Sequence, residues 1–111
     1  MDKQIIYYYT TDNKCPYQDW LNTLDKTIQL RVLKRVDNLK KGLYGDHKLL
    51  QKSELSELRM DFGKGYRIYY YDLDKALILF VGGSDKKDQK QTVKQCNSYF
   101  KDFVERNTKD V

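Results

Sequence analysis

The chain has 111 residues, a formal net charge of +5 and ten tyrosines. That length supports one modest hydrophobic core, so residues 1–111 are expected to form a single domain. No stretch approaches the roughly 20 apolar residues of a membrane span, and the first residues lack the apolar run of a signal peptide, so a cytoplasmic location is expected. Cys15, Cys96 and His47 are not spaced as metal ligands, so no metal or other cofactor is expected. The basic, tyrosine-rich composition favours an anionic partner, with nucleic acid ahead of an acidic protein.

The first part of the chain predicts a strand followed by a helical hairpin. Residues 3–11 are rich in β-branched and aromatic residues, which is typical of a strand. Apolar residues then recur at helical spacing in two consecutive segments, which predicts two antiparallel helices over about 15–41. Pro16 suits the first helical position, Asp25 the N-cap of the second helix, and Gly42 its C-terminal stop. The residues predicted on the buried side of the hairpin are Tyr17, Trp20, Leu21, Leu24, Ile28, Val32, Leu33, Val36 and Leu39.

The second part predicts a loop, three strands and a helix. Residues 43–54 are predicted to form the loop, and the strands are predicted at about 55–62, 66–73 and 76–82. The third strand contains the run ALILFV, which is apolar at every position and therefore predicts a central strand buried on both faces. The polar tail 105–111 is predicted to fray, so substitution of Lys109 is expected to be neutral. The residues predicted on the inner face of the last helix are Val93, Cys96, Phe100, Phe103 and Val104. Over the whole chain, the side chains predicted to be largely buried include Trp20, Leu21, Val32, Val36, Ile68, Leu79, Phe100 and Phe103.

Two arginines, Arg59 and Arg67, lie within the first two strands of this second part, on either side of the turn at 63–65. Strand alternation places both on one face together with Glu57, and we expect the helices to cover the opposite, apolar face and to leave the arginine face open. Two interpretations follow. The arginines form charge pairs with Glu57 and Asp61, worth only a few tenths of a kcal/mol, or they form a phosphate site, because guanidinium forks match phosphate oxygens. The residues predicted to share the arginine face also include Tyr69 and Tyr71.

The segment GGSDKKDQ, after the third of these strands, favours the phosphate interpretation. It brings Lys86 and Lys87 to the start of the last helix, and glycines, lysines and a helix N-terminus together suit an anion. The segment alone is a weak signal, since Gly-Gly followed by Ser-Asp is also an ordinary turn before a helix.

Taken in order, these motifs resemble the RelE/ParE superfamily of toxins, and more specifically its HigB-like branch, which includes phage Gp49-like addiction module killer proteins. The likeness covers about residues 4–103 and departs from the branch's pattern in three places. Cys15 stands where a serine is usual, Ser84 is an insertion in GGSDKK, and QKSE at 51–54 lacks a common glycine. The stretches that carry the resemblance are CPYQDWLNTL, LKKGLYGDHKLL, ELRMDFGKGYRIYYY and LILFVGGSDKKDQKQTVKQCNSYFKDF.

The resemblance implies an α+β, RelE-like fold: a strand, a helical hairpin, a three-stranded antiparallel meander and a C-terminal helix around one small, mostly antiparallel sheet. It also implies the toxin of a type II toxin–antitoxin module, whose cognate antitoxin, encoded by an adjacent gene, is expected to carry a helix-turn-helix. RelE- and HigB-like members are ribosome-dependent, metal-free mRNA endonucleases, so the ribosome and mRNA are the other implied partners. Two alternatives remain open: a ParE-like inhibitor of DNA gyrase, and a non-catalytic module that binds an antitoxin or nucleic acid.

An endonuclease of this kind uses the 2′-hydroxyl of RNA to attack the adjacent phosphate, so it must accept one proton, donate another and stabilise charge on the phosphate. Arg59 and Arg67 are assigned to the phosphate, Lys86 to the leaving group or the phosphate, and Lys48 is the candidate general base. A lysine with a pKa of roughly 10.4 is a poor base at neutral pH unless neighbouring cations lower that pKa. The residues expected to make further RNA contacts are Lys52, Lys64, Tyr69 and Lys87.

Overall fold

A computed structural model describes residues 2–108 and confirms an α+β fold with one mixed five-stranded sheet and three helices. The elements, in chain order, are β1 (Gln4–Tyr7), α1 (Pro16–Asn22), α2 (Lys26–Lys40), β2 (His47–Leu49), β3 (Ser56–Met60), β4 (Tyr66–Asp74), β5 (Leu77–Ser84) and α3 (Gln89–Thr108). The strand order is β1-β5-β4-β3-β2. The β1–β5 pair is parallel and the other three pairs are antiparallel. Within residues 2–108, no helix is long and apolar enough to cross a membrane.

The predicted helical hairpin is present as α1 and α2. Pro16 is the first residue of α1, and Gly42, with φ of +83°, follows the C-cap of α2 as predicted. Asp25 does occupy the N-cap position of α2, but its side chain makes no capping hydrogen bond, so the predicted side-chain cap is wrong. The side chain of Cys15, at the N-cap of α1, makes no capping hydrogen bond either, because a thiol is a weaker acceptor than a hydroxyl.

The prediction of a loop over residues 43–54 is wrong in part, because that segment contains the short strand β2. The strand pairs antiparallel with β3 at the edge of the sheet. All three of its residues are exposed, so it has no buried face and hence no alternation of apolar and polar residues that could reveal it. The turn that follows holds Lys52 in the left-handed region, with φ of +58°, in the segment that lacks the common glycine.

The apolar strand β5 lies inside the sheet, between β1 and β4, as the sequence predicts. Residues 78–81 have no exposed surface, so both faces of the strand are covered. Its two glycines allow helices to approach from opposite sides. A Cβ on Gly83 would lie 2.2 Å from the Trp20 ring of α1, and one on Gly82 would lie 2.9 Å from Cys96 Sγ of α3.

Hydrophobic cores lie on both faces of the sheet, and this corrects the predicted open arginine face. The core under α1 and α2 contains Leu21, Val32, Val36, Leu58, Ile68 and Phe80, among others. The second core, under α3, contains Tyr8, Leu55, Tyr69, Tyr71, Leu79, Val81 and Cys96. Tyr69 and Tyr71 were assigned to an open polar face, but a tyrosine ring buries as readily as other aromatic rings once its hydroxyl has a partner. The end of this face that carries the arginines is partly open, since the Arg59 side chain is 33% exposed.

Burial of the helices agrees with the predicted inner faces at most positions. Six residues predicted on these inner faces are buried: Tyr17, Leu21, Val32, Val36, Leu39 and Cys96. The predicted core residues Ile68 and Leu79, in the strands, are buried as well. Trp20, Phe100 and Phe103 are only half-buried, whereas Leu33 and Val104 are 41% and 40% exposed and were wrongly assigned to inner faces. Each of these two lies beyond the edge of the helical stripe that reaches the narrow sheet. Helix α3 continues to Thr108, four residues into the predicted frayed tail, and Lys109 lies outside the described residues.

Candidate functional site

The β3–β4 hairpin brings the two arginines together. Arg59 on β3 and Arg67 on β4 are direct cross-strand partners, so their side chains leave the same face of the sheet. The turn between them contains Gly63 and Gly65 with φ of +57° and +74°, a conformation that glycine adopts without a Cβ penalty. Lys86 N–H donates to the carbonyl oxygen of Lys64 at 3.3 Å, which ties the segment before α3 to this turn.

An open cleft of about 430 Å³ results between the hairpin and this segment. Four of the predicted site residues line it, namely Arg59, Lys64, Arg67 and Lys86. Two acidic residues, Asp46 and Asp61, also line it. The four cations outnumber these carboxylates, which suits an anionic group bound to the arginines.

The carboxylate of Glu57 is the inner partner of the arginines. It is completely buried, and its Oε1 accepts a hydrogen bond from Arg59 Nε at 2.7 Å. Its Oε2 accepts one from Gln89 Nε2, at the start of α3, at 2.8 Å. The Nε of Arg67 lies 3.6 Å from the same Oε2, beyond hydrogen-bond distance, and is buried without a partner. The charge-pair interpretation therefore holds for Glu57, with the difference that the carboxylate of the pair is buried.

The two guanidinium groups differ in how they are held. Arg59 has the short hydrogen bond to Glu57, which raises the pKa of Arg59 above its usual value and keeps the group charged. The side chain of Arg59 is 33% exposed, and that of Arg67 is 13% exposed. Arg67 donates from Nη1 to the carbonyl oxygen of Gly65 at 2.9 Å, so its fork is held at the mouth of the turn. Arg59 is thus anchored by a charge, and Arg67 mainly by a neutral carbonyl.

The other predicted site residues lie outside this cleft. Lys48 is exposed on β2, directly opposite Glu57 in register, and does not line the cleft. Lys52 lines a different cleft beside Phe100. Lys87 lines a neighbouring cleft that also includes Lys86.

Tyr69 cannot contact RNA as placed, because it has no exposed surface. Its hydroxyl shares a hydrogen bond of 2.9 Å with Ser84 Oγ. Burial raises the pKa of Tyr69 to about 12, so it is also a poor proton acceptor at neutral pH. Ser84, the inserted residue of the segment GGSDKK, is the last residue of β5 and lies opposite Arg67. The inserted serine therefore bonds to the buried Tyr69 and pairs with Arg67 across the sheet.

Two residues of the site, Glu57 as a buried anchor and Gln89, were missed by sequence reasoning. Strand alternation did place Glu57 on the arginine face. Its complete burial depends on α3 crossing that face, however, and no local pattern predicts that crossing. The sequence indicates for Gln89 only a place in the turn before a helix. Within residues 2–108, no group of three or more His, Cys, Asp or Glu residues is placed to hold a metal ion.

Comparison with known proteins gives one informative relative. No protein-family model matches the chain. A protein of Haemophilus influenzae (strain ATCC 51907 / DSM 11121 / KW20 / Rd), named "Uncharacterized protein", is 31% identical over 81 residues. These residues make up 72% of this chain and 81% of the relative, so the likeness spans most of both.

Proposed function

The chain belongs to the same family as the Haemophilus influenzae protein, and we propose that it is a RelE-like toxin of a type II toxin–antitoxin module that cleaves mRNA on the ribosome. The order of elements supports this proposal, since a strand, a helical hairpin, antiparallel strands and a C-terminal helix are what the sequence resemblance implies. The additional strand β2 extends the sheet at its edge and leaves that order intact.

The observation that carries the proposal is the cross-strand pair of Arg59 and Arg67 at a cleft that Lys64 and Lys86 also line. Two like charges directly opposite each other destabilise a sheet, so a fold alone gives no reason for the pair. A phosphate between the guanidinium groups gives one, because each fork can donate to two of its oxygens.

In the proposed reaction, the 2′-hydroxyl of RNA attacks the adjacent phosphorus, and the 5′-oxygen leaves. The products are a 2′,3′-cyclic phosphate and a 5′-hydroxyl. Arg59 and Arg67 stabilise the charge that develops on the phosphate oxygens, and Lys86 protonates the leaving oxygen. Lys48 does not line the cleft and would have to reach it from β2, whereas Asp46 lines it and is the candidate acceptor for the proton of the 2′-hydroxyl.

The decisive assay uses translating ribosomes with a defined mRNA, with and without a chelator. The proposal requires cleavage in both conditions, with 5′-hydroxyl ends. Arg67→Ala is expected to lower the rate by roughly 10²–10³, the usual effect of removing one preorganised charge stabiliser. Arg67→Lys is expected to be poor as well, because a point charge cannot replace a fork. The matched control is Lys94→Ala, which removes an exposed cation of α3 outside the cleft and should leave the rate unchanged.

A second candidate, binding to another protein such as DNA gyrase or the antitoxin, is favoured by the outer side of α2. Leu30 and Leu33 are 65% and 41% exposed there. Arg31 and Lys34 line a shallow groove beside Leu30. Intact mRNA together with accumulated gyrase–DNA complexes would favour the gyrase candidate. Growth arrest that is relieved by co-expression of the product of the adjacent gene would support the toxin context under either activity.

A further inference from the structure

Three donors surround the two oxygens of the buried Glu57 carboxylate. Arg59 Nε holds Oε1 at 2.7 Å, and Gln89 Nε2 holds Oε2 at 2.8 Å. The third donor, Arg67 Nε, is left 3.6 Å from Oε2. These two hydrogen bonds hold the carboxylate at a position from which Oε2 is out of hydrogen-bond range of Arg67 Nε.

The unpartnered Nε of Arg67 is costly where it lies. A buried donor without a hydrogen-bond partner destabilises the folded state, and more so when the group is charged. A carboxylate without the Gln89 hydrogen bond could remove this cost by moving a few tenths of an ångström toward Arg67. Gln89 therefore keeps the Nε of Arg67 without a hydrogen bond, while Nη1 of the same side chain donates to the Gly65 carbonyl oxygen.

We propose that Gln89 is a positioning residue: by holding the Glu57 carboxylate in place it keeps the Arg67–Glu57 ion pair at 3.6 Å and stops it from closing to a hydrogen bond, and so keeps the Arg67 fork available to a phosphate oxygen. The inference rests on the phosphate-binding part of the proposed function. It makes Arg59 the fixed arginine of the pair and Arg67 the arginine that responds to the ligand. It also couples the start of α3 to the arginine cleft, although Gln89 itself does not line that cleft.

The first test observes the arginines directly. In the ¹⁵N-labelled full chain, Gln89→Met should move the Hε resonance of Arg67 downfield, toward that of Arg59, and slow its exchange with water, because the released carboxylate can approach Arg67 Nε and accept its proton. Methionine keeps the length and helix propensity of glutamine but has no donor. The control is Gln91→Met, which makes the same change at an exposed position two residues along α3. If Gln89→Met impairs folding, Gln89→Asn replaces it, since an amide one methylene shorter cannot hold Oε2 at the present distance.

The second test measures binding of inorganic phosphate and of a 2′-deoxy dinucleotide, which cannot be cleaved through a 2′-hydroxyl. Gln89→Met should weaken both by about three- to tenfold, the factor that corresponds to one net hydrogen bond. Gln91→Met should leave binding unchanged. A role of Gln89 in stability alone would lower the melting temperature and leave both the Arg67 resonance and the phosphate affinity as they are, and that result would overturn the inference. An Arg67 shift without weaker binding would overturn it as well.

Neither test requires RNA cleavage, so the inference and the proposed nuclease can fail separately. Arg67-dependent cleavage with a Gln89→Met variant that matches the wild type in resonance and affinity would refute the positioning role and leave the nuclease standing. A shifted Arg67 resonance and weakened phosphate binding in a protein that cleaves no mRNA would support the positioning role and refute the nuclease.

Discussion

The unequal attachment of the two arginines to Glu57 predicts unequal effects on stability. Arg59→Ala leaves Oε1 of a completely buried carboxylate without its 2.7 Å partner. Hydrogen bonds to charged groups contribute about 1.5–3 kcal/mol, and because Arg59 is one-third exposed we expect water to replace part of it, which gives a loss of about 1.5 kcal/mol. Arg67→Ala removes one hydrogen bond to the Gly65 carbonyl and a 3.6 Å ion pair, but it also removes the buried unbonded Nε, so we expect a net loss of no more than about 0.5–1 kcal/mol. Both variants are expected to fold, but Arg59→Ala less stably.

The assay is urea unfolding of each variant alone and combined with Glu57→Gln, as two double-mutant cycles. The coupling free energy with Glu57 should be larger for Arg59 than for Arg67, by at least about 0.5 kcal/mol. Lys64→Ala combined with Glu57→Gln is the matched control, because Lys64 lines the same cleft and is exposed, and its coupling should be within about 0.3–0.5 kcal/mol of zero. Equal coupling of the two arginines, or a larger value for Arg67, would refute the assignment of Arg59 as the anchored member.

Three further predictions concern stability. Cys15→Ser should stabilise the protein by about 0.5–1 kcal/mol in urea unfolding, since a hydroxyl can make the N-cap bond of α1 that is absent now; an unchanged midpoint would contradict this. Lys52→Gly should raise the melting temperature, because glycine adopts the left-handed conformation of this position without a Cβ penalty, a gain of about 0.5–1 kcal/mol. A lowered melting temperature would refute the inference that Lys52 is strained. Burial raises the pKa of the Cys96 thiol from 9.0 to about 12. The contribution of this thiol to stability should therefore be fully present below pH 9 and decline above it, because in that range the unfolded chain loses the thiol proton and the folded chain keeps it. In Cys96→Ala, unfolding curves recorded across alkaline pH should show the decline beginning later, and an identical onset would contradict the assignment.

Much of the fold could be predicted because its strongest signals are local. The run ALILFV requires cover on both faces, and β5 has it, with helices on either side. The helical hairpin follows from an apolar spacing of three and four residues, and its ends follow from Pro16 and Gly42, whose backbone preferences need no tertiary context. Predictions of this kind depend on what one segment must bury or on which backbone conformation one residue adopts.

The features that could not be predicted all depend on contacts between distant segments. Strand β2 exists because β3 offers an edge to pair with, and its own residues bury nothing. The burial of Tyr69 and Glu57 depends on α3 lying across their face of the sheet. Alternation along a strand assigns a residue to a face but does not say what covers that face. The same limitation hid Gln89, whose bond to Glu57 joins residues 32 positions apart.

The arginine end of the sheet departs from the balance found elsewhere in the fold. Elsewhere on this face, the tyrosine hydroxyls have partners: Tyr69 bonds to Ser84, and Tyr71 donates to Asn97 Oδ1 at 3.0 Å. At the arginine end, one buried carboxylate serves two guanidinium groups on directly paired strands, and a buried donor is left unbonded. Apolar residues at these positions would remove both the repulsion and the unpaired donor, so stability alone does not favour the arrangement. A ligand that carries negative charge and several acceptor oxygens would offset the repulsion while leaving Glu57 in place, and a phosphodiester has both properties. Such local conflicts with the rules of folding are expected where a site is kept ready for a ligand, which is why the proposed phosphate site is placed here rather than at Lys48 or Lys52.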